Sequence, residues 1–348
     1  MSSAKNILIV GAGPVGLTAA IELARLGQEV TIIDKNAQRT QVSKAIGINA
    51  RSLELLEASG VTTELLQAGL PLKQLQLHYD EKSVVIHIDQ LPHRYNFMLS
   101  LPQDQTEMIL ENKLNQYGID VRRQTEFLHL SQLDDKVIVQ LNERGETIQE
   151  TYDFVIGADG AHSVVRKAIG QEFTGKRYPE NWNLADVHMS WNFDPSIAHA
   201  FTSPPGTVCV VIPIGENRYR IVANRVDALA LLPKNTEVKD IIWHSDFAIS
   251  CRIVNNYQLG HVFLAGDSAH IHTPVGGRGM NLGMEDACIL AQMLVEDNWQ
   301  DYNKLRHPVG KHVVNFTDHL YRLLTLSNPI LRGLRNLILF PLLSLPWV

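Results

Sequence analysis

The chain has 348 residues, 45% of them apolar, which is enough for one large α/β unit or two closely joined domains. A net charge of −6 and the lack of any long Lys/Arg run exclude nucleic acid as a partner. Three cysteines (Cys209, Cys251 and Cys288) are odd in number and have no metal-like spacing, so the expected setting is a reducing cytoplasm.

Lys5 and the apolar run behind it superficially resemble a secretory leader, but Glu22, Arg25 and the glycine spacing fit a strand and helix of the folded protein better. No apolar stretch is long enough to suggest a membrane span. Residues 6–10 (NILIV) predict a buried strand that runs straight into Gly11-Ala12-Gly13-Pro14-Val15-Gly16. A helix carrying Leu17, Ala20, Ile21 and Ala24 follows and stops at Gly27, and a second strand, Val30–Ile33, delivers Asp34 with Lys35 beside it. In that context the first glycine makes the turn, the second admits a pyrophosphate and the third lets helix and strand pack. Asp34 then takes the adenosine ribose hydroxyls and disfavours a 2′-phosphate. The fingerprint predicts a bound adenine dinucleotide without choosing between NAD and FAD.

Residues 40–60 give a cationic entry at Lys44 and a helix with Leu53, Leu55, Leu56 and Ala58. Lys44 and Arg51 could each neutralise cofactor phosphate, and Arg51 reads equally well as a solvated surface charge. Residues 71–89 alternate as a hairpin with one wet face. Pro102-Gln103 opens a helix ending at Gly118. Strands at 119–122, 126–130, 136–142 and 147–152 then form a meander expected to cover one face of the parallel sheet. Asp153–Gly160 is a further strand ending in an acid, and Ser163 starts the next helix. From 173 to 256 the pattern predicts strands at 184–193, 208–213 and 218–223, a hairpin turn at Gly215-Glu216-Asn217, and one helix over 236–245 capped by Asn235 or Thr236. Together with about 70–100 this region reads as an antiparallel, substrate-facing sheet.

Between Gly260 and Glu296 a buried strand, Val262–Ala265, ends in Gly266-Asp267. A Gly-rich loop (Pro274, Gly276, Gly277, Gly279) and a helix with Met280, Leu282, Ala287, Leu290, Ala291 and Leu294 follow. A strand-end acid, a backbone with no Cβ in the way and a helix N-terminus suit a reduced flavin; an ordinary strand–loop–helix turn is the alternative. His270 and His272, two apart, read as hydrogen-bonding residues, and no metal site is expected. Residues 309–324 are helical, Asn328-Pro329 caps another helix, and the apolar last dozen residues, broken by Pro341 and Pro346, are expected to pack on the core or a second copy. Membrane contact there is peripheral at most.

Gly11-x-Gly13-x-x-Gly16, GADGAHSVVR around Asp159-Gly160, and AGDSAHIHTPVGGRGMNLGMEDA around Gly266-Asp267 resemble, in order and spacing, the class A flavin-dependent monooxygenases. These are the para-hydroxybenzoate hydroxylase-like aromatic hydroxylases, and within them the chain resembles the phenol-hydroxylase and polyketide-tailoring branch. The likeness covers the whole chain, including Pro102-Gln103. It implies an α/β fold: a Rossmann-like FAD-binding domain with a β-meander (1–70, 101–172, 257–300), an antiparallel-sheet substrate domain (71–100, 173–256) and a C-terminal helical segment (301–348). It implies FAD as cofactor and NAD(P)H as co-substrate without a domain of its own. An aromatic or polyketide-like small molecule would be hydroxylated with molecular oxygen through a C4a-hydroperoxyflavin. Gly11, Gly13, Pro14, Gly16, Asp34, Lys35, Lys44, Arg51, Gln103, Asp159, Gly160, Gly266, Asp267, Pro274, Gly277, Gly279, Met280 and Asn281 would hold the cofactor. Pro274, Gly276 and Gly277 would form the flavin-ring environment, with no acid–base catalyst. Candidate substrate contacts are Tyr95, His188, Trp191, Phe201, Val211, Pro213, Tyr219 and Arg225.

The chain departs from the pattern at Lys44, where relatives commonly carry Arg, and at Tyr302–Pro308, where an acid is missing; the second departure bears on how the C-terminal helix docks. A flavoprotein reductase that inserts no oxygen and a non-catalytic flavin-binding module are the rival readings, and a homodimer is compatible with the sequence.

Overall fold

The computed structural model describes residues 4–39, 44–225 and 227–343. The hydrophobic run Asn6–Val10 becomes the centre of a six-stranded sheet ordered Gln258–Leu259, Val262–Leu264, Phe154–Gly157, Asn6–Val10, Glu29–Asp34, Arg122–Arg123. All neighbours are parallel except the first pair, which is antiparallel. Parallel strands covered on both faces need continuous apolar sequence, and every residue of Phe154–Gly157 and Val262–Leu264 is buried. The helices Pro14–Arg25, Gln103–Gln116 and Gly279–Glu296 pack together against this sheet. A three-stranded meander of Thr125–Leu133, Lys136–Glu143 and Glu146–Tyr152 adds Phe127, Val137, Val139 and Leu141 to the same core. The expected strand at 119–122 shrinks to Arg122–Arg123.

The second sheet has eight strands, ordered His270–Ile271, Glu237–Val254, Phe173–Ser190, Arg218–Ala223, Thr207–Gly215, Ala198–Ser203, Gln74–Tyr79, Lys82–His87. The hairpins at 71–89 and 215–217 form as expected. The expected helix over 236–245 does not: this stretch lies in the 18-residue strand Glu237–Val254, paired along Phe173–Ser190. The capping signal is spent on a turn in which the Thr236 N–H donates to the Pro233 carbonyl, and Ile241, Ile242 and Trp243 suit a pleated surface. Tertiary pairing outweighs the local cap. A further small sheet (Gly47–Ile48, Met98–Ser100, Leu70–Leu72) is drawn from segments on either side of the 74–87 hairpin.

The C-terminal helix Tyr302–Leu324 accommodates Pro308 in its interior. Asn328 accepts from the N–H groups of Ile330 and Leu331, capping Pro329–Leu334 as expected. Among the described residues of the last dozen, Phe340 is fully buried, against Tyr79, while Leu337 and Ile338 face solvent. Pro346 lies outside the described residues.

Candidate active site

The Gly11–Gly16 turn, Ala158–Gly160 and Gly266-Asp267 converge at the carboxyl ends of the parallel strands, where open α/β sheets bind ligands. Gly11 adopts φ +103°, and a Cβ there would lie 2.5 Å from the Ala158 carbonyl oxygen, so the first two segments touch through bare backbone. At Gly16 a Cβ would fall 1.9 Å from the Gly11 oxygen, a position only glycine can fill. Gly13 is different in kind: a Cβ there would meet nothing within 4 Å. It faces an open cradle at the N-terminus of Pro14–Arg25, whose first turn has no side-chain cap. That start leaves N–H groups and partial positive charge for an anion, so the residues present fit a dinucleotide pyrophosphate.

Both acids nearest this cradle are partly engaged by the protein. Asp34 accepts from the Ala12 N–H at 3.0 Å and the Asn36 N–H at 2.8 Å. Asp159 accepts from the Val164 and Val165 N–H groups and from the Ser268 hydroxyl, which in turn accepts from the Gly160 N–H; it braces the Ser163 helix start against the Gly266-Asp267 turn. Lys35 is exposed and lines an open depression of about 390 Å³ with Asn36, Gln124 and Arg144. Asp267 opens toward the cleft. The surrounding protein raises its carboxyl above the ordinary value, against which His270 and Lys44 act in the lowering sense.

Behind that turn lies a charge network absent from the sequence reading. Asp286 is buried and accepts from His270 Nε2 at 2.7 Å, from Arg306 Nε at 2.7 Å and from the Gly266 N–H at 3.3 Å. Burial raises its carboxyl, but His270 and Arg306 outweigh it, and the group sits below its ordinary value. Arg306 also bridges to Glu285 at 2.6 Å. The acid missing from Tyr302–Pro308 is thus matched by carboxylates of the Gly279–Glu296 helix, and this docks the C-terminal helix. His270 is a hydrogen-bonding residue here, and among the described residues no cluster suits a metal ion.

The segment Lys44–Asn49 forms a strap that pairs through Gly47–Ile48 with Met98–Ser100 and is pinned further by three side chains. Gln103 Oε1 accepts from the Ala45 N–H. Asn281 Oδ1 accepts from the Asn49 N–H, and its Nδ2 donates to Gly47 and Gly277 carbonyls. Arg220, fully buried and paired through Nε and Nη2 with Asp186 at 2.7 and 3.0 Å, donates from Nη1 to the Ala45 oxygen at 3.0 Å. The side chain of Asn281 is spent on protein, so only its backbone is available to a ligand; Arg220 was not singled out by the sequence at all. Arg51 is exposed and paired with Glu54. Gly276 and Gly277 hold φ +85° and +59°, and no atom beyond Arg278 lies near a Cβ at either. The helix behind them begins at Gly279 and Met280 without a side-chain cap.

Strand parity decides what faces this loop. Val275, on the Pro274–Gly277 loop, packs on an apolar cluster of Trp182, Val208, Ile249 and Tyr321, against which Val210, Val222, Phe247 and Leu324 also pack. Arg220 and Ile212 share that parity. Trp191, Phe201, Val211 and Tyr219 instead form a cluster on the opposite face with Cys209 and Ile221. The expected substrate contacts on these strands therefore lie on the sheet face opposite Val210 and Val222, since successive strand residues alternate. Tyr95 donates to Glu57, His188 is exposed near Asp240, the Pro213 carbonyl accepts from Ser100, and Arg225 donates to the Asn224 carbonyl.

Residues 4–317 match the family described as FAD binding domain; the chain belongs to that family, and its cofactor is FAD. It is 29% identical over 352 residues to 6-methylpretetramide 4-monooxygenase of Streptomyces rimosus, covering 93% of this chain and 63% of the relative. It is likewise 29% identical over 348 residues to pentachlorophenol 4-monooxygenase of Sphingobium chlorophenolicum, covering 91% and 64%. The chain thus spans less than two thirds of the length of these relatives. Among solved structures, the anhydrotetracycline hydroxylase of Streptomyces rimosus superposes with a TM-score of 0.83 at 26% identity, over 99% of this chain and 74% of that one. The p-nitrophenol 4-monooxygenase of Pseudomonas putida shares the fold with a TM-score of 0.88 at 19% identity, over 100% and 96%.

Proposed function

We propose that this chain is an FAD-dependent monooxygenase that takes electrons from NAD(P)H and hydroxylates an aromatic or polyketide-like molecule with oxygen. The observation that carries the reading is the convergence of the Gly11–Gly16 turn, Asp159-Gly160 and Gly266-Asp267 on one cradle, with the neighbouring Pro274–Gly277 loop packed through Val275 on an apolar cluster of Trp182, Val208, Ile249 and Tyr321. An electron-rich ring needs such a surface, with few polar groups to orient it and water kept away.

In this reading Gly13, Pro14 and Gly16 give the pyrophosphate its cradle, with Gly11 making the turn and Asp34 meeting the ribose. Asp159 and Gly160 close the same cleft, Lys35, Lys44 and Arg51 supply positive charge along it, and Gln103 sets the strap. Gly266 and Asp267 approach the ribityl chain. The uncapped helix start at Gly279, Met280 and Asn281 presents N–H groups to the electron-rich side of the ring. Bound FAD supplies the redox and oxygen chemistry. Pro274, Gly276 and Gly277 shape the space in which substrate meets it, and no side chain has to act as acid or base. The cofactor domain would be 1–70, 101–172 and 257–300, the substrate domain 71–100 and 173–256, with 301–348 a helical segment.

Anaerobic stopped-flow tests the proposal: reduction of the FAD-loaded protein by NADH or NADPH with a panel of phenols, then addition of oxygen and analysis of products. Phenol-stimulated reduction and a hydroxylated product support it. A flavin that is reduced readily but returns only peroxide with every phenol replaces it with the reductase.

A further inference from the structure

Glu107, in the helix Gln103–Gln116, is 2% exposed, and the sequence did not single it out. Burial raises its carboxyl above the ordinary value, and the hydrogen bond from Gln103 is the largest effect against that rise, ahead of Arg123 and Arg39. Those two arginines make their ion pairs with Glu111. Gln103 Nε2 donates to Glu107 Oε1 at 2.8 Å, four residues further along the helix. On an exposed helix face such a pair adds only a little to helix stability. Burying a carboxylate costs more than that, so helix stability is not what the pair serves.

The other end of the same amide carries the consequence. Gln103 Oε1 accepts from the Ala45 N–H at 3.1 Å. The two ends of a glutamine amide are nearly equal in size and opposite in sense, one donating and one accepting. A carboxylate only accepts, so it draws Nε2 toward itself and leaves Oε1 turned to the Ala45 N–H. A reversed amide would set one donor against another and leave the Ala45 N–H without its acceptor. Ala45 belongs to the Lys44–Asn49 strap, and Asn281 Nδ2 ties the Gly47 carbonyl of that strap to the Gly277 carbonyl of the glycine loop. We propose that Glu107 is a positioning residue for FAD binding: by fixing the sense of the Gln103 amide it holds the Lys44–Asn49 main chain against the glycine loop, a role that rests on the assignment of Gln103 and Lys44 to the cofactor cleft.

Flavin-fluorescence titration and thermal unfolding of the apoprotein test the role. E107M, with no acceptor, should weaken FAD binding about five- to tenfold, the loss of one hydrogen bond, and still melt with the parent. E107Q keeps an oxygen at the same reach and should recover binding to within about twofold of the parent. E107D keeps the charge but withdraws the oxygen; it should fail as E107M does, and it carries the test if E107M does not fold. Q103M should weaken binding by a similar factor, and Q103M/E107M should bind no more weakly than Q103M, because Glu107 acts through Gln103. Parental affinity in E107M and E107D, with Q103M weakened, overturns the role of Glu107 alone. So do additive losses in the double variant, a loss of affinity that only follows a fall in Tm, or affinity kept by E107D and lost by E107Q, which would make charge the cause. Q103M at parental affinity overturns the assignment of Gln103 to the cofactor cleft, and the role of Glu107 with it.

Discussion

Replacing Arg220 by methionine tests whether the strap is held from the large sheet. The guanidinium is wholly inaccessible and its partner Asp186 is 4% accessible, so R220M leaves a carboxylate buried with only Arg218, at 3.4 Å, to balance it. Breaking a buried pair from one side costs about 3–5 kcal/mol. At about 2 cal/mol/K per residue the unfolding entropy of this chain is about 0.7 kcal/mol/K, so the expected loss is about 4–7 °C in Tm, with Arg218 favouring the lower end. The double variant D186L/R220M removes the stranded charge and should recover most of that loss. Affinity for FAD should not recover with it, because the Lys44 and Ala45 carbonyls have lost their donor in both variants. Thermal unfolding of the apoprotein and flavin-fluorescence titration read the two effects separately. An R220M protein that melts within about 1 °C of the parent and binds FAD equally well would refute the reasoning.

Three further outcomes follow from the geometry. G16A should fold poorly, since its Cβ meets the Gly11 oxygen at 1.9 Å and overpacking of this kind costs about 1–3 kcal/mol or more, whereas G13A should keep the apoprotein Tm and lose FAD affinity; equal melting temperatures for the two would contradict the packing. His272 donates from Nδ1 to the Thr273 carbonyl, and burial pulls its pKa from 6.5 down to about 4. The unfolded chain therefore binds the extra proton between about pH 6.5 and 4, and up to about 3 kcal/mol of stability, present above that window, is lost as pH falls through it. H272Q should flatten this part of the pH–Tm curve, and an unchanged curve would assign the loss elsewhere. Finally, V210F should abolish phenol-stimulated NAD(P)H oxidation with FAD still bound, while V211A, on the far face, should lower Tm and spare turnover; the reverse pattern would restore the other face as the substrate side.

The parts of the fold legible in the sequence are those fixed by local covalent and steric rules. The Gly11–Gly16 turn, the stop at Gly27, the end of the strand at Asp34 and the strand Arg218–Ala223 each depend on neighbours within a few residues. The helix expected over 236–245 failed because a cap is worth about 1 kcal/mol, less than long pairing along Phe173–Ser190 provides. The facing of the large sheet is illegible for another reason. Both faces of Thr207–Gly215 are apolar, since each is covered, so hydrophobic alternation carries no sign telling inside from outside.

The strap shows why Arg220 stayed hidden, and why Gln103 and Asn281 were named for the cofactor rather than for the main chain they hold. Its pins come from sequence separations of 58 to Gln103, 175 to Arg220 and 232 to Asn281, and each is an ordinary polar residue in its own local context. Their common target is main chain, carbonyls and N–H groups between Lys44 and Asn49, which no side-chain pattern announces. One pin starts in the helix that opens the glycine loop, one in the helix behind the parallel sheet and one in the large antiparallel sheet. The strap therefore takes its position from these three elements as well as from its pairing with Met98–Ser100, and Arg220 is its link to the large antiparallel sheet. Asp186 and Arg220 thereby join the large antiparallel sheet to the Lys44–Asn49 main chain, a connection that R220M and D186L/R220M probe directly.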